Sequence, residues 1–245
     1  MGPRGTERIP AGEKPDGERD FMTLSSFRSI ASVVLALGLA SGAATAEISG
    51  KVSLREGDAV AAPAGEDVVV YIDGVPAPVT WPSESRERTM VMENKTFSPR
   101  LQVIPAGEEV FFPNRDAIMH NAFSLSPGNR FDLGLYKSGA SKSQRFETPG
   151  VVRLYCNIHP QMSAFVLVVE NPYFARVAPD GTYRIPAVPP GIYTVKAWHE
   201  KGEVEKRVMV GEQGAQDVDF EIDARRFKPK PHLNKFGKPY KRERY

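Results

Sequence analysis

The chain has 245 residues and a mass of 27.0 kDa, a size that corresponds to one or two domains. Hydrophobic residues make up 41% and charged residues 25%, which excludes a wholly disordered chain. The formal net charge of +2 gives no electrostatic reason to expect nucleic acid binding. The single cysteine excludes an intramolecular disulfide and a zinc site built from several cysteines, and four histidines limit the number of metal centres.

Residues 1–46 have the pattern of a secretory signal peptide. Residues 30–40 (IASVVLALGLA) form an apolar run of 11, which is too short to span a bilayer, and Arg28 precedes the run. The small residues ATA at 44–46 then form a cleavage site, so we expect cleavage directly after this site and export from the cytoplasm. Residues 1–21 are polar and unlike the basic start of a signal peptide. Met22 is therefore a second candidate for the start of translation.

The remaining 199 residues, 245 − 46, contain many short apolar runs separated by turns rich in Gly, Pro, Asn and Asp. No long amphipathic helix pattern is present. The runs are DVVVY (67–71), RLQVI (100–104), EVFF (109–112), VVRLY (151–155), AFVLVV (164–169), IYTVKA (192–197) and QDVDFEI (216–222). Evenly spaced short strands predict an all-β protein built as a sandwich or barrel.

The end of the chain, residues 224–245, differs in composition from the rest. It contains nine Lys and Arg residues against one acidic residue, Glu243, and few apolar side chains. This composition predicts a basic, flexible tail that does not build a packed core. The tail either serves solubility or docks electrostatically to an acidic partner or an anionic membrane surface.

One short segment, CNIHPQM at 156–162, concentrates chemistry-bearing side chains. Cys156, His159 and Met162 offer a thiolate, an imidazole and a thioether on a loop between two predicted strands. A second imidazole, from His120, lies 36 residues before the cysteine and follows the strand-like run EVFF. Two imidazoles, one thiolate and a weak axial thioether are the ligand set of a blue-copper electron-transfer site.

Other interpretations of these residues are weaker. Zinc rarely uses a thioether, and its structural sites usually contain two or more cysteines. A Cys156–His159 nucleophile would leave Met162 and the second histidine without a role, and a c-type haem requires a C-x-x-C-H motif that is absent. Only His199 and His232 remain for further copper centres, so the histidine count disfavours a copper enzyme and favours a protein that is not an enzyme.

Residues 88–170 resemble the cupredoxin family. The spacing of the 156–162 loop is similar to that of amicyanin, and the segment 94–124 (NKTFSPRLQVIPAGEEVFFPNRDAIMHNAFS) resembles the first strands of plastocyanin-like domains. The resemblance implies a Greek-key β-sandwich over residues 86–170 with one type 1 copper. It implies that the copper ligands are His120, Cys156, His159 and Met162, and that Asn121 braces the ligand loop through hydrogen bonds.

The resemblance also implies how electrons enter and leave. In cupredoxins one histidine ligand is partly exposed within an apolar patch, which here would be His159. Candidates for that patch are Met119, Ile158, Pro160 and Ala164, which could equally form the edge of a core. The whole chain resembles the bacterial cupredoxin-containing proteins often labelled methylamine utilisation protein, which implies a periplasmic location in a Gram-negative host.

A second resemblance covers the sequence on either side of this region. The motif DGTYRIPAVPPGIY at 180–193 resembles the later half of a carboxypeptidase-regulatory-like, or transthyretin-like, β-sandwich. Residues 171–223 alone are marginal for an independent core. The runs ISGKVSL (48–54) and EDVVVYIDGV (66–75) resemble the opening strands of the same fold.

We therefore predict a discontinuous sandwich, 47–85 plus 171–223, with the cupredoxin domain inserted into it. In the alternative arrangement, residues 47–80 belong to the cupredoxin and the later strands pack on its side. The second sandwich contains no catalytic set. Trp198 is predicted to be a core residue and His199 a surface or hydrogen-bonded one, with a second metal site formed by His199 and Glu200 as the minority alternative.

The sequence as a whole predicts an exported type 1 copper protein that carries single electrons between redox partner proteins of unknown identity. Two other functions stay open. The chain could bind copper for acquisition or delivery, or it could be a structural or interaction module that a metal ion stabilises.

Overall fold

The computed structural model describes residues 46–63, 67–74, 88–229 and 231–240. The predicted signal peptide up to residue 45, including Met22, therefore lies outside the described residues. Within the described ranges, no helix is long and apolar enough to cross a membrane.

The described residues are organised almost entirely as β-structure, which confirms the all-β prediction. Seventeen strands are present in these ranges. The strands are β1 (Ile48–Glu56), β2 (Ala59–Ala61), β3 (Val69–Asp73), β4 (Val91–Glu93), β5 (Thr96–Ser98), β6 (Leu101–Pro105), β7 (Glu108–Pro113), β8 (Phe123–Ser124), β9 (Phe131–Asp132), β10 (Ser141–Phe146), β11 (Gly150–Tyr155), β12 (Ser163–Val169), β13 (Phe174–Arg176), β14 (Thr182–Ile185), β15 (Gly191–His199), β16 (Gly202–Val210) and β17 (Phe220–Asp223).

A first sandwich combines strands from the beginning and the end of the described chain. In one sheet β1 lies between β14, which is antiparallel to it, and β17, which is parallel, while β2 pairs with the end of β1. In the other sheet the order is β13-β3-β15-β16. Pairing of β1 and β3 with these later strands is what the discontinuous arrangement requires. Whether the sandwich is of the carboxypeptidase-regulatory-like kind stays a prediction.

A second sandwich is formed by the strands between these two groups. One sheet has the order β6-β12-β11-β8-β9, in which β6 and β12 run parallel, and β7 pairs with β10 opposite it. The hairpin β4–β5 joins the β7 side through isolated bridges at Thr89 and Met92. A buried core that includes Phe112, Phe146 and Val166 fills the space between the two layers.

The strand β12 is apolar on both faces because it serves two cores. Ala164 and Val166 point into the core of the second sandwich, whereas Phe165 and Leu167 join a separate buried cluster with Trp198. Phe165 and Trp198 meet edge to face, with ring centroids 5.2 Å apart. The apolar run in β12 is therefore continuous instead of alternating, as expected for a strand buried on both sides.

Ionic contacts surround this shared cluster. Arg100, which precedes β6, pairs with Asp67 at 2.8 Å and also with Glu200 at the end of β15. Arg176 donates a hydrogen bond to the carbonyl oxygen of Leu101 at 2.6 Å. The two sandwiches thus contact each other through apolar side chains bordered by charged ones.

Part of the segment that composition predicts to be a flexible tail makes specific contacts. A turn at residues 234–238 is closed by backbone hydrogen bonds of 2.8 Å between Asn234 and Lys238 and between Gly237 and Asn234. Gly237 has a φ of 70°, which glycine adopts without strain. This turn places residues 231–240 beside the loop between β11 and β12, a position that composition alone did not indicate.

Candidate metal centre

Two loops bring the predicted ligands together at one end of the second sandwich. His120 lies between β7 and β8 and is held by paired backbone hydrogen bonds with Tyr136 of 3.2 and 2.9 Å. Cys156 follows β11 directly, and Met162 immediately precedes β12. Hydrogen bonds from the Met162 amide to the His159 carbonyl, 2.9 Å, and from the Cys156 amide to the Met162 carbonyl, 3.3 Å, close the ligand loop.

The two histidines and the cysteine form a compact triangle of donor atoms. Cys156 Sγ lies 3.8 Å from His120 Nδ1 and 3.7 Å from His159 Nδ1, and the two Nδ1 atoms are 3.0 Å apart. They are the one group of three or more potential metal donors among the described ranges. His120 and Cys156 have no exposed surface, while His159 is partly exposed.

The size of this triangle is suitable for a small transition-metal ion. Bonds of about 2.0 Å to imidazole and about 2.3 Å to thiolate in a trigonal arrangement separate nitrogen from sulfur by about 3.8 Å and the two nitrogens by about 3.5 Å. The two nitrogen–sulfur distances match, and the nitrogen–nitrogen distance of 3.0 Å is shorter. The donor set therefore fits a metal ion after a small separation of the imidazoles.

Asp116 orients the buried imidazole. Its Oδ2 atom lies 2.7 Å from His120 Nε2. Because a carboxylate oxygen accepts, Nε2 carries the ring proton and donates a hydrogen bond to Asp116. The lone pair of His120 is then on Nδ1, which faces Cys156 Sγ. A carboxylate that fixes the tautomer of a ligand histidine is a common feature of metal sites.

The same carboxylate binds the tip of the β4–β5 hairpin. Asp116 accepts hydrogen bonds from the amides of Asn94 at 2.7 Å and Lys95 at 2.9 Å. Burial by itself would raise the pKa of Asp116, but the bonds from Lys95, His120 and Asn94 outweigh it and lower the pKa. Asp116 therefore remains ionised at neutral pH. Sequence reasoning missed it, although its position four residues before a predicted ligand histidine was a usable signal.

His159 also presents a neutral imidazole at neutral pH. Burial, and then the neighbouring His120 and Lys95, lower the pKa of His159, while Asp116 acts in the opposite direction. A lower pKa keeps the ring in its neutral form to a lower pH, and a neutral imidazole has one ring nitrogen with a free lone pair.

Met162 lies in the same buried environment, with 1% of its surface exposed. It belongs to the core cluster that contains Cys156 and Tyr136. The backbone bonds of the loop hold it next to the other three predicted ligands. Its role as a ligand stays a prediction.

Asn121 connects the two parts of the chain that carry the predicted ligands. Its side-chain oxygen accepts a hydrogen bond from the Asn157 amide at 2.6 Å, and its amide donates to Asp132 at 3.1 Å. Asn121 itself is buried. The geometry is compatible with the bracing role predicted for it, since it joins the residue after His120 to the residue after Cys156.

The exposed apolar surface near His159 differs from the predicted patch in one residue. Met119 and Ile158 are 52% and 42% exposed, and Pro160 is exposed as well. Ala164 is buried in the core of the second sandwich, so its assignment to the patch was wrong. The alternation within β12 turns this side chain inward.

His199 does not form a second metal cluster with Glu200 in the described residues. Glu200 instead pairs with Arg100. His199 is buried, and its Nδ1 atom has no hydrogen-bond partner. Trp198 is 5% exposed, in agreement with its predicted core position.

Comparison with known proteins gives limited likenesses. No protein-family model matches the chain, and no curated protein matches it. Among solved structures, a purple cupredoxin from Nitrosopumilus maritimus is 25% identical over 33% of this chain and 98% of its own, with a TM-score of 0.30. A copper-containing nitrite reductase from Thermus scotoductus is 25% identical over 40% of this chain, which spans 25% of that enzyme, with a TM-score of 0.33. An amicyanin variant in its Cu(I) form is 17% identical over 41% of this chain and 98% of its own, with a TM-score of 0.33.

These likenesses involve about two fifths of the chain or less, and their TM-scores are low. They do not identify a family by themselves. What the site can do must therefore follow from its side chains: two imidazoles and one cysteine sulfur in a compact triangle, with Met162 in the same buried core cluster as the cysteine.

Proposed function

We propose that the chain is a mononuclear copper protein of the type 1 class that carries single electrons between redox partners. The observation that carries this proposal is the buried triangle of His120 Nδ1, His159 Nδ1 and Cys156 Sγ, with edges of 3.0 to 3.8 Å. A copper ion held there would supply a one-electron couple between Cu(II) and Cu(I). Thiolate and thioether donors favour Cu(I), while imidazole suits both oxidation states.

The surroundings of the triangle support electron transfer in preference to exchange of the metal. His120 and Cys156 are completely buried and Met162 nearly so, so an acceptor protein could not reach these donors without opening the loop. Delivery of copper requires that opening, whereas electron transfer does not. His159 is the one proposed ligand with appreciable exposure, and it is therefore the route by which an electron would reach the surface.

The structure supplies rigid support for the four residues. The ligand loop is closed by its own backbone hydrogen bonds and braced by Asn121. A rigid frame reduces the rearrangement that accompanies a change of oxidation state, because the donor atoms are held in one position. Apolar side chains beside His159, including Met119 and Ile158, offer a surface on which a partner could dock.

The organisation and location of the chain are part of the same proposal. We infer an exported, periplasmic protein in which a copper-binding sandwich is inserted into a second sandwich of structural or interaction function. The partners are redox proteins, and neither the donor nor the acceptor is specified by these residues. The proposed role is that of a carrier and not of an enzyme.

Titration of the mature chain, residues 47–245, with Cu(II) tests the proposal. We expect one equivalent to bind and to produce an intense visible thiolate-to-copper band that ascorbate removes and a mild oxidant restores. Cys156→Ala is the matched control, because the chain contains no other cysteine, and it should show no such band. A full chain that binds copper without this band would contradict the type 1 assignment.

A second measurement separates the alternatives. An electron carrier should be reduced and reoxidised many times while it retains copper in the presence of a Cu(I) chelator. A delivery protein should lose its copper to the chelator at the first reduction. A structural metal site should bind zinc as well as copper and show no reversible redox cycle.

A further inference from the structure

The C-terminal segment 231–240 contacts the ligand loop through an aromatic group and a hydrogen bond. The imidazole of His232 stacks on Tyr155, with ring centroids 3.9 Å apart and an angle of 13° between the planes. Its Nε2 atom donates a hydrogen bond to the carbonyl oxygen of Pro160 at 2.5 Å. Tyr240 packs edge-on against His232, at 5.1 Å between centroids. Two side chains of the segment thus form one aromatic group with Tyr155, the last residue of β11.

Two further hydrogen bonds join the same segment to the loop. The hydroxyl of Tyr240 donates to the carbonyl oxygen of Cys156 at 3.1 Å. The backbone amide of Lys235 donates to the side-chain oxygen of Asn157 at 3.0 Å. With the bond to Pro160, the segment holds three residues of a seven-residue loop at separate points. These contacts surround the cysteine and the histidine that the proposed function assigns to copper.

The contacts of Lys235 close a ring of hydrogen bonds around the bracing asparagine. The Lys235 amide donates to Asn157, whose own amide donates to Asn121. The Asn121 side chain donates to Oδ1 of Asp132, and Oδ2 of Asp132 accepts the ammonium of Lys235 at 2.7 Å. Each of the four residues is bonded to its two neighbours in the ring. The ring joins the residues that follow His120 and Cys156 to a segment that begins more than 70 residues after the cysteine.

We propose that residues 231–240 position the ligand loop, and that His232, Lys235 and Tyr240 are positioning residues of the metal centre. Four geometric anchors carry the inference: the stacked imidazole, two hydrogen bonds to loop carbonyl groups, and the ring that contains Lys235. Its connection to copper rests on the proposed function. Its effect on the loop does not, because none of these contacts is made by one of the four proposed donor atoms.

Two truncated chains form the principal test. One ends at residue 230 and lacks the whole segment, and the other ends at residue 240 and keeps it. In the metal-free proteins, we expect the Asn157 amide to exchange with deuterium about tenfold faster in the shorter chain, and at the full-chain rate in the longer one. Amides in β1 and β15 should exchange equally in all three proteins, which would show that the sandwiches remain folded.

Copper provides the second readout. Loaded with Cu(I), the chain ending at 230 should lose copper to a chelator about tenfold faster than the chain ending at 240. The ratio of its affinities for Cu(II) and Cu(I) should change about threefold, a shift of about 28 mV in reduction potential at 59 mV per tenfold. A segment that merely adds bulk would change neither the exchange of Asn157 nor the potential.

Point variants keep the test decisive if the shorter chain does not fold. Lys235→Met removes the ion pair with Asp132, Lys235→Arg preserves it, and Lys238→Met is a matched control in the same turn. Of these three variants, only Lys235→Met should accelerate deuterium exchange of the Asn157 amide. Equal exchange in Lys235→Met and Lys238→Met, or in the two truncated chains, would overturn the proposal. Faster exchange in a chain that binds no copper would support the positioning of the loop and refute the copper function.

Discussion

The replacement Asp116→Asn tests how the buried histidine is oriented. The carboxylate of Asp116 accepts three hydrogen bonds, from the Asn94 amide at 2.7 Å, the Lys95 amide at 2.9 Å and His120 Nε2 at 2.7 Å. Oδ2 accepts two of these and Oδ1 the third. An asparagine can keep an oxygen at the position of Oδ2, but its NH2 group would then replace Oδ1 and face the amide of Asn94. The bond to Asn94 is therefore lost, and the bonds to Lys95 and His120 then end on a neutral oxygen instead of a charged one.

The expected loss follows from these bonds. A hydrogen bond to a charged group contributes about 1.5–3 kcal/mol and a neutral one about half as much. One lost bond and two halved ones should therefore lower the free energy of unfolding by about 3–6 kcal/mol. The hairpin tip adds a reason, because Asn94 and Lys95 have φ values of 53° and 55°, a conformation that side chains other than glycine adopt at some cost. Without the carboxylate of Asp116, the hydrogen bonds that stabilise the turn at Asn94 and Lys95 are weakened or lost.

Urea unfolding of the metal-free chain, followed by circular dichroism, measures this loss. The midpoint should fall while the dependence on urea concentration stays constant. Because the pKa of Asp116 is lowered in the folded protein, its contribution is present above the unfolded pKa of about 3.9 and is lost as the pH falls through the folded pKa. The difference between the two proteins should therefore be constant from about pH 5 to 7 and shrink in more acidic solution.

The control is Asp58→Asn, at an exposed position, which should change stability by no more than about 0.5 kcal/mol. If Asp116→Asn behaves like this control, the carboxylate does not hold the hairpin and the reasoning is refuted. If Asp116→Asn is destabilised by the same amount at pH 3 and pH 7, the lost stability does not come from an ionised group.

Three other changes address the sandwiches. Phe165→Ala should lower the free energy of unfolding by about 3–5 kcal/mol in urea titrations, because it empties a buried site against Trp198. Burial lowers the pKa of His199, so the unfolded chain binds the proton more readily than the folded one. The metal-free chain should therefore lose stability as the pH falls below about 6.5. His199→Gln should reduce this pH dependence in thermal melts at pH 5 to 7. Gly50→Ala should lower the melting temperature and the yield of folded protein, because a Cβ atom there would lie 2.4 Å from the carbonyl oxygen of Val218.

Each of these changes has its own control. Phe165→Leu should lose less stability than the alanine variant, and equal losses would show that ring volume is not what matters. A stability profile of His199→Gln identical to that of the parent would remove His199 as a source of the pH dependence. A Cβ atom at Gly211 would lie 4.0 Å from the carbonyl oxygen of Gly214. Gly211→Ala should therefore have a melting temperature close to that of the parent, whereas that of Gly50→Ala should be lower.

Much of the candidate metal centre could be predicted because its chemistry is local. Cys156, His159 and Met162 lie on one loop, and the runs VVRLY and AFVLVV on either side are apolar enough to predict strands. Their donor types are informative without coordinates, since few sites combine thiolate, imidazole and thioether. The distant His120 could be included only because the same chemistry requires a second imidazole and few histidines were available.

The strand content could likewise be predicted from turns and apolar runs, but the layers could not. A continuous run such as 164–169 predicts a buried strand without indicating which core receives each side chain. The tertiary structure turns Ala164 into the second sandwich and Phe165 toward Trp198. That distinction depends on which sheet packs against each face of β12, and it explains why Ala164 was misplaced on the surface.

The sequence by itself determined the element types and which residues are candidate donors, because both depend on residues that are close together or on the few histidines and the single cysteine in the chain. Only the tertiary structure decided how the donors are oriented. It placed the carboxylate of Asp116 on His120, and it brought Lys235 and Tyr240 to the ligand loop. These contacts join residues up to 84 positions apart, and their formation depends on the packing of whole sheets, which no local pattern encodes.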